Sequence, residues 1–201
     1  VGAAVEVIAE SGIAGVTHRA VANRAGVPLA STSYYFASID ELIEEAVKSA
    51  VADQVAALDA FAELIADQGG SADELADLIA GALTQIPDSV ALTQFDSYLS
   101  AARNPAMSEA AGDAMAAFER LAEEALRVAG ARTPSEGARA FVALADGFAL
   151  RRLALPHDDA AHAAELRESM RSLFIAYAMS DAERKTWAGR LGRRQKGRRA
   201  A

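Results

Sequence analysis

The chain contains no cysteine in 201 residues, which excludes a disulfide framework, a thiolate metal site and thiol catalysis. A cysteine-free chain suits a reducing compartment, and a cytoplasmic location is the expectation. Histidine is nearly as scarce. With only 3, no nucleophile–base pair or metal set can be assembled, so neither an enzyme nor a metal or other cofactor is expected. His157 and His162 in "PHDDAAH" stand five apart, which would put their rings on different faces of a helix, unlike an i, i+4 zinc pair. That segment reads as a solvated loop. No run of about 18 uncharged apolar residues occurs, so no membrane span is expected. Nothing alternates like a strand. An initial Met is also lacking: Val1 opens the chain inside a helical pattern, and a segment preceding it is expected.

What is present is alanine, leucine and valine in helical spacing, with 52% hydrophobic residues to supply a core. The fold class expected is all-α, with about nine helices. Val1, Val5, Ile8 and Ala9 mark the first, ending near Gly12. Thr17 caps a second through Arg24, Gly26 ends it in a left-handed turn, and Pro28 leads a third to Phe36. "SIDE" (38–41) and "SADE" (71–74) have capping-box spacing. Breaks follow at "DQGGS" (67–71), Pro87, Pro105, "GARTP" (130–134) and "LPHDD" (155–159).

Net charge is −8, but it is unevenly placed. Residues 1–36 are neutral, residues 37–183 hold 10 basic and 26 acidic side chains, and residues 184–201 hold 8 basic and no acidic ones. The pI of the whole chain therefore describes none of its surfaces. The tail "RKTWAGRLGRRQKGRRAA" carries one sign of charge, and such blocks are usually disordered. Disorder is expected from residue 184, with nonspecific help to nucleic-acid binding through phosphate contact.

Two short helices joined by a glycine turn, residues 17–36, form a helix-turn-helix pattern. Ala20, Val21, Val27 and Phe36 are expected to pack inward. The second helix would then present Leu29, Ala30, Ser31, Thr32, Ser33, Tyr34 and Tyr35 to the major groove. Small hydroxyls permit close approach to base edges, and tyrosine hydroxyls and the Thr17 cap can reach phosphates.

The string "GIAGVTHRAVANRAGVPLASTSYYFASIDEL" resembles the DNA-binding segment of the TetR family of bacterial transcriptional regulators. Gly12, Thr17, "VANRAGV", "SYYF" and "SIDEL" carry the resemblance, over roughly residues 1–47. It implies a homodimer on double-stranded DNA, at a pseudo-palindromic operator, and repression relieved by a small-molecule effector. By position, Thr17, Tyr34 and Tyr35 would meet phosphates. Pro28, Leu29, Ala30, Ser31, Thr32 and Ser33 would face the groove, with His18 and Arg19 beside them. Two features depart from the family pattern. Ile39 stands where many members carry a phosphate-binding lysine, and no basic arm precedes the first helix in this sequence.

The expected division is a helix-turn-helix domain at 1–47, a larger helical ligand-binding and dimerisation domain at 48–183, and a basic tail at 184–201. For the ligand pocket, Phe95, Tyr98, Leu99, Met107, Met115 and Phe118 form an adaptable apolar group, although each equally suits ordinary core. Asp146 joins them as a carboxylate within the apolar run "FVALADGFAL", where a charge is costly unless paired. It reads either as a ligand or interface group or as half of an ion pair with a neighbouring helix. Wide apolar faces near 135–155 and 160–179 suggest a four-helix dimer interface, with Phe141, Phe148, Arg152, Leu166, Met170, Leu173, Phe174 and Tyr177 as candidates. The alternative to a regulator is an all-helical ligand-binding or protein-interaction module that has lost specific DNA binding, for which the neutral N-terminal segment and Ile39 speak.

Overall fold

A computed structural model describes residues 1–199, all of them in helices or the turns between. Ten α-helices follow in order: α1 Gly2–Ser11, α2 His18–Ala25, α3 Leu29–Tyr35, α4 Ile39–Gln68, α5 Ala72–Thr84, α6 Asp88–Ala101, α7 Ser108–Val128, α8 Pro134–Ala154, α9 Asp159–Ala178 and α10 Asp181–Arg199. Short 3-10 turns occupy Ile13–Gly15 and Pro105–Met107. Among the described residues there is no strand, and no single helix is long and apolar enough to cross a membrane.

The helix starts follow local chemistry. Thr17 Oγ1 accepts the Ala20 N–H at 3.1 Å, satisfying one of the donors that a helix start leaves free. At Ser71 the reciprocal box closes: its N–H donates to Glu74 Oε2 at 2.8 Å, and its hydroxyl oxygen accepts the Glu74 N–H at 3.3 Å. Ser38 accepts from Glu41 N–H at 3.1 Å, but Glu41 reaches back one residue further, to the Ala37 N–H at 2.6 Å. Gly26, at φ 66, ends α2 in the left-handed region, where a β-carbon would be strained.

The same chemistry starts the last helix. Ser180 and Glu183 form a third box, with the Ser180 N–H donating to Glu183 Oε2 at 2.7 Å and the Glu183 N–H to Ser180 Oγ at 3.3 Å. Arg184 then pairs with Asp181 at 2.8 Å, and the backbone continues as helix to Arg199. A capped first turn offsets part of the cost of nucleating a helix. Residues 200–201 lie outside the described part.

By packing, the chain forms two units: Val1–Phe61 with Gln85–Phe118 and Ala149–Pro156, and Ala62–Thr84 with Glu119–Phe148 and His157–Ala201. The first is built around Ala4, Val7, Ile8, Val16, Val21, Leu42, Ile43, Ala46, Val47, Val51, Met107 and Ala114. The buried face of α1 is thus Ala4, Val7 and Ile8, while Val1 is 46% exposed. Ile39 and Phe36 pack against the same core. In the second unit, α5 lies along α9 and buries Leu75, Ala76, Ile79 and Ala80. Two ion pairs run along that contact in antiparallel register, Arg171 with Asp73 and Arg167 with Asp77. Being exposed, they hold register more than they add stability.

Candidate nucleic-acid interface

Residues 17–36 fold as two helices about a tight turn, held by contacts a single helix could not provide. Val27 N–H donates to Ala22 O at 3.0 Å, closing α2, and Pro28, at φ −58, enters α3 without strain. Because α3 has only seven residues, its rotation is set by one inward position. That position is Thr32, expected to face the groove but only 7% exposed. Its hydroxyl donates to Leu29 O at 2.9 Å, and its oxygen lies 3.1 Å from His18 Nδ1. With the hydroxyl proton spent, His18 must donate through Nδ1, so this bond orients the imidazole and ties the start of α2 to α3.

With Thr32 and Phe36 turned in, the opposite side of α3 is outward. Tyr34 is 82% exposed and Tyr35 74%, their rings edge-on at 5.1 Å between centroids. Leu29 is 47% exposed, and Pro28, Ala30 and Ser33 are exposed with it, while Ser31 is half-buried. Val27, expected to pack inward, is instead 41% exposed because the left-handed Gly26 swings it out of the α2–α3 crossing. Thr17 is exposed, and since its oxygen accepts the cap bond, its proton remains free to donate outward.

The charges beside this face separate sharply. Arg19 is exposed and makes no ion pair among the described residues. Arg24 is held by α1: it donates to Glu6 Oε2 at 3.1 Å and closely to Glu10. The Arg24 hydrogen bond holds the Glu10 carboxyl below its ordinary range, and Glu10 and Glu6 raise the guanidinium pKa in turn. This latch was missed by sequence reasoning. Its only trace there is that Glu6 and Glu10 stand four apart on one helix face.

The remaining candidates are dispersed. In the first unit, Phe95 and Tyr98 stack edge-on at 6.3 Å, and Phe118 is half-buried. Leu99 is 56% exposed and Met115 42%, whereas Met107 is a core residue at 6%. Asp146, in the second unit, is half-buried and forms no ion pair among the described residues, so burial raises its carboxyl pKa. Of the interface candidates, Phe141, Leu166, Met170 and Phe174 are buried within this chain, because the apolar stripe of α9 faces α5 and α8. Phe148, Arg152, Leu173 and Tyr177 are half-buried, with Arg152 bound to Ile86 O at 2.8 Å and to Asp88 at 3.3 Å. His157 precedes α9, so its ring lies 5.5 Å from that of His162 rather than on another face. It pairs with Asp159 at 2.9 Å.

Comparison with known proteins matches this geometry. Residues 1–46 match the family model for bacterial regulatory proteins of the tetR family. Residues 66–176 match that for the tetracyclin repressor-like C-terminal domain. The chain belongs to the TetR family.

This TetR-family protein is accordingly a DNA-binding transcriptional regulator with an N-terminal helix-turn-helix and an all-helical C-terminal part. It is similar to the multidrug-binding protein EbrR complexed with proflavin: 31% identity over 86% of this chain and 95% of that one, with a TM-score of 0.64. A TetR-family member from Streptomyces coelicolor A3 is 32% identical, covering 86% of this chain and 94% of that one, with a TM-score of 0.63. A transcriptional regulator from Rhodococcus sp. Rha1 shares the fold, at a TM-score of 0.70 and 21% identity over 89% of this chain and 96% of that one. No curated protein matches the chain.

Proposed function

We propose that this regulator is a homodimeric repressor that leaves a pseudo-palindromic operator when a small organic effector binds its larger helical part. The division proposed is 1–47 for DNA and 48–183 for ligand and dimer, which the ranges of the two matching family models support. Two copies of α3 would enter successive major grooves about 34–36 Å apart. Leu29, Ala30 and Ser33 would lie against base edges, and Thr17, Tyr34 and Tyr35 against phosphates. Thr32 would act from inside, positioning His18 and the helix. For the dimer, the outward sides of α8 and α9 are favoured: Ala143 and Gly147 are exposed there, as are Leu150 at 48% and Ile175 at 41%. The effector class is supported by the likeness to EbrR, which is complexed with proflavin in one structure and with ethidium in another. Phe95, Tyr98, Leu99, Met115 and Phe118, all of the first unit, remain the candidate residues around it.

One observation carries the reading: two adjacent tyrosines, 82% and 74% exposed, on a helix too short to need them for its core. The test is selection of genomic fragments by the protein, then binding to the recovered site across a salt series. An enriched pseudo-palindrome, lost on changing Tyr34 and Tyr35 to alanine, supports the proposal. A second reading, a helical ligand module with lapsed DNA contacts, is favoured by the neutralised Arg24 and by Ile39 packed into the core. Weak, sequence-blind binding that survives both tyrosine changes would put that reading first.

A further inference from the structure

The first unit contains a cavity of about 220 Å³ bounded by α1, α4 and α6. Val5, Ile8 and Ala9 of α1 form one wall, and Val47, Ala50 and Val51 of α4 another. The third, from α6, is polar on one side: Thr93, Gln94 and Ser97 face Gln54 of α4. No lining residue is charged. None of the residues singled out from the sequence as pocket candidates lines it.

The hydrogen bonds of that polar edge specify what it can receive. Thr93 donates its hydroxyl proton to Ser89 O at 2.8 Å, and Ser97 donates its own to Gln94 O at 2.7 Å. Both oxygens therefore offer only lone pairs to anything in the cavity. Gln94 donates one amide hydrogen to the Tyr98 hydroxyl at 3.1 Å, and Gln54 lies 3.5 Å from Gln94 Oε1. An ion placed here would lose part of its water with no counter-charge in the wall, which costs more than a neutral donor meeting two acceptors. Scaling from a cavity of about 150 Å³ that takes benzene, the space suits roughly nine non-hydrogen atoms.

We propose that this cavity binds a small uncharged molecule, mostly apolar and carrying one O–H or N–H donor, and that α1 transmits its occupancy to the helix-turn-helix. The transmission follows from position. Val5 and Ala9, in the wall, are the chain neighbours of Glu6 and Glu10, which hold Arg24 of α2. A molecule that shifts α1 outward carries the latched α2, and with it α3. The effect on DNA rests on the regulator reading; the binding does not.

The test uses the full chain with benzyl alcohol as the neutral probe and benzylammonium and benzoate as charged probes of similar size. Methyl NMR is expected to show saturable shifts at Val5, Ile8, Val47 and Val51 with benzyl alcohol, and affinity at least about tenfold lower for both ions. Ala50→Leu fills the cavity from α4 and is expected to abolish those shifts. Ser97→Ala leaves α4 untouched, removes one acceptor, and should weaken benzyl alcohol about threefold or more. Equal binding of the ions overturns the proposal. So does unchanged binding in Ala50→Leu, or shifts confined to residues outside the cavity. Unchanged affinity in Ser97→Ala overturns the assigned donor. Operator affinity at probe saturation is read separately. Shifts at the methyls of those four residues with no change in DNA binding overturn the α1 route alone, and shifts in a protein that selects no operator show the regulator reading failing by itself.

Discussion

The helices α3 and α9 both carry aromatic side chains, yet they dispose of them in opposite ways. On α3, Tyr34 and Tyr35 stand 82% and 74% exposed while a threonine takes the inward position. On α9, Phe174 is 0% exposed, its ring 4.5 Å from that of Phe141, with Met170 and Leu166 buried on the same stripe. The difference is one of length and neighbours. A helix of twenty residues offers several turns to a partner such as α5, so its large side chains gain most by burial. A seven-residue helix is docked by Thr32 and the following Phe36, which leaves its aromatics free to meet something else. Aromatic residues therefore hold the fold together in one place and are available for recognition in the other.

The sharpest break in that comparison is Phe174→Ala. Removing a fully buried ring should cost about 3–5 kcal/mol and be visible in urea unfolding, through both lost burial and the cavity left behind. Tyr34→Ala and Tyr35→Ala are expected to leave the unfolding midpoint nearly unchanged while lowering operator affinity about tenfold each. That is the scale of losing a hydrogen bond to a charged group. Should either tyrosine change unfold the protein instead, the division between structural and recognition aromatics would be wrong.

Smaller effects sharpen the second unit. In α8, a β-carbon on Gly137 would come within 2.8 Å of Leu126 and 3.1 Å of the Tyr177 ring, and Leu126 is itself fully buried. Gly137→Ala should thus destabilise by about 1–2 kcal/mol, overpacking outweighing the better helix propensity. Gly147 has open space around it. Gly147→Ala is expected to raise stability by up to about 1 kcal/mol in the dissociated chain and to weaken the dimer in sedimentation if α8 pairs closely with its copy.

The smallest effect concerns Asp146. Burial raises its pKa above the ordinary 3.8, so the folded state holds this proton more tightly than the unfolded chain does. Stability from this group is then greatest at acid pH, below the unfolded value, and is lost as pH rises through the raised folded value. Asp146→Asn should remove that dependence and raise the melting temperature at neutral pH by about 2 °C or less, the carboxyl being partly solvated. A lower melting temperature in the variant would mean the carboxylate has a favourable partner.

The all-helical class was legible because its signals lie within one or two turns. The Thr17, Ser38 and Ser71 caps and the turn at Gly26 are decided by residues three or four apart, and they stand where the spacing placed them. Ser180 and Glu183 have the same spacing and close the same box. The face of α3 was only half legible. Spacing alone on seven residues does not say which side is inward, and the His18–Thr32 bond that decides it spans fourteen positions.

Sequence alone thus determined the helices, their ends and the helix-turn-helix pattern, since caps, glycine turns and apolar periodicity act between near neighbours. Tertiary structure decided the rest. It turned Thr32 inward, gave Arg24 to Glu6 and Glu10, hid the stripe of α9 within its own chain, and left a neutral cavity beside α1. Each of these depends on which helix lies next to which, a choice made by the summed burial of many side chains and written at no single position.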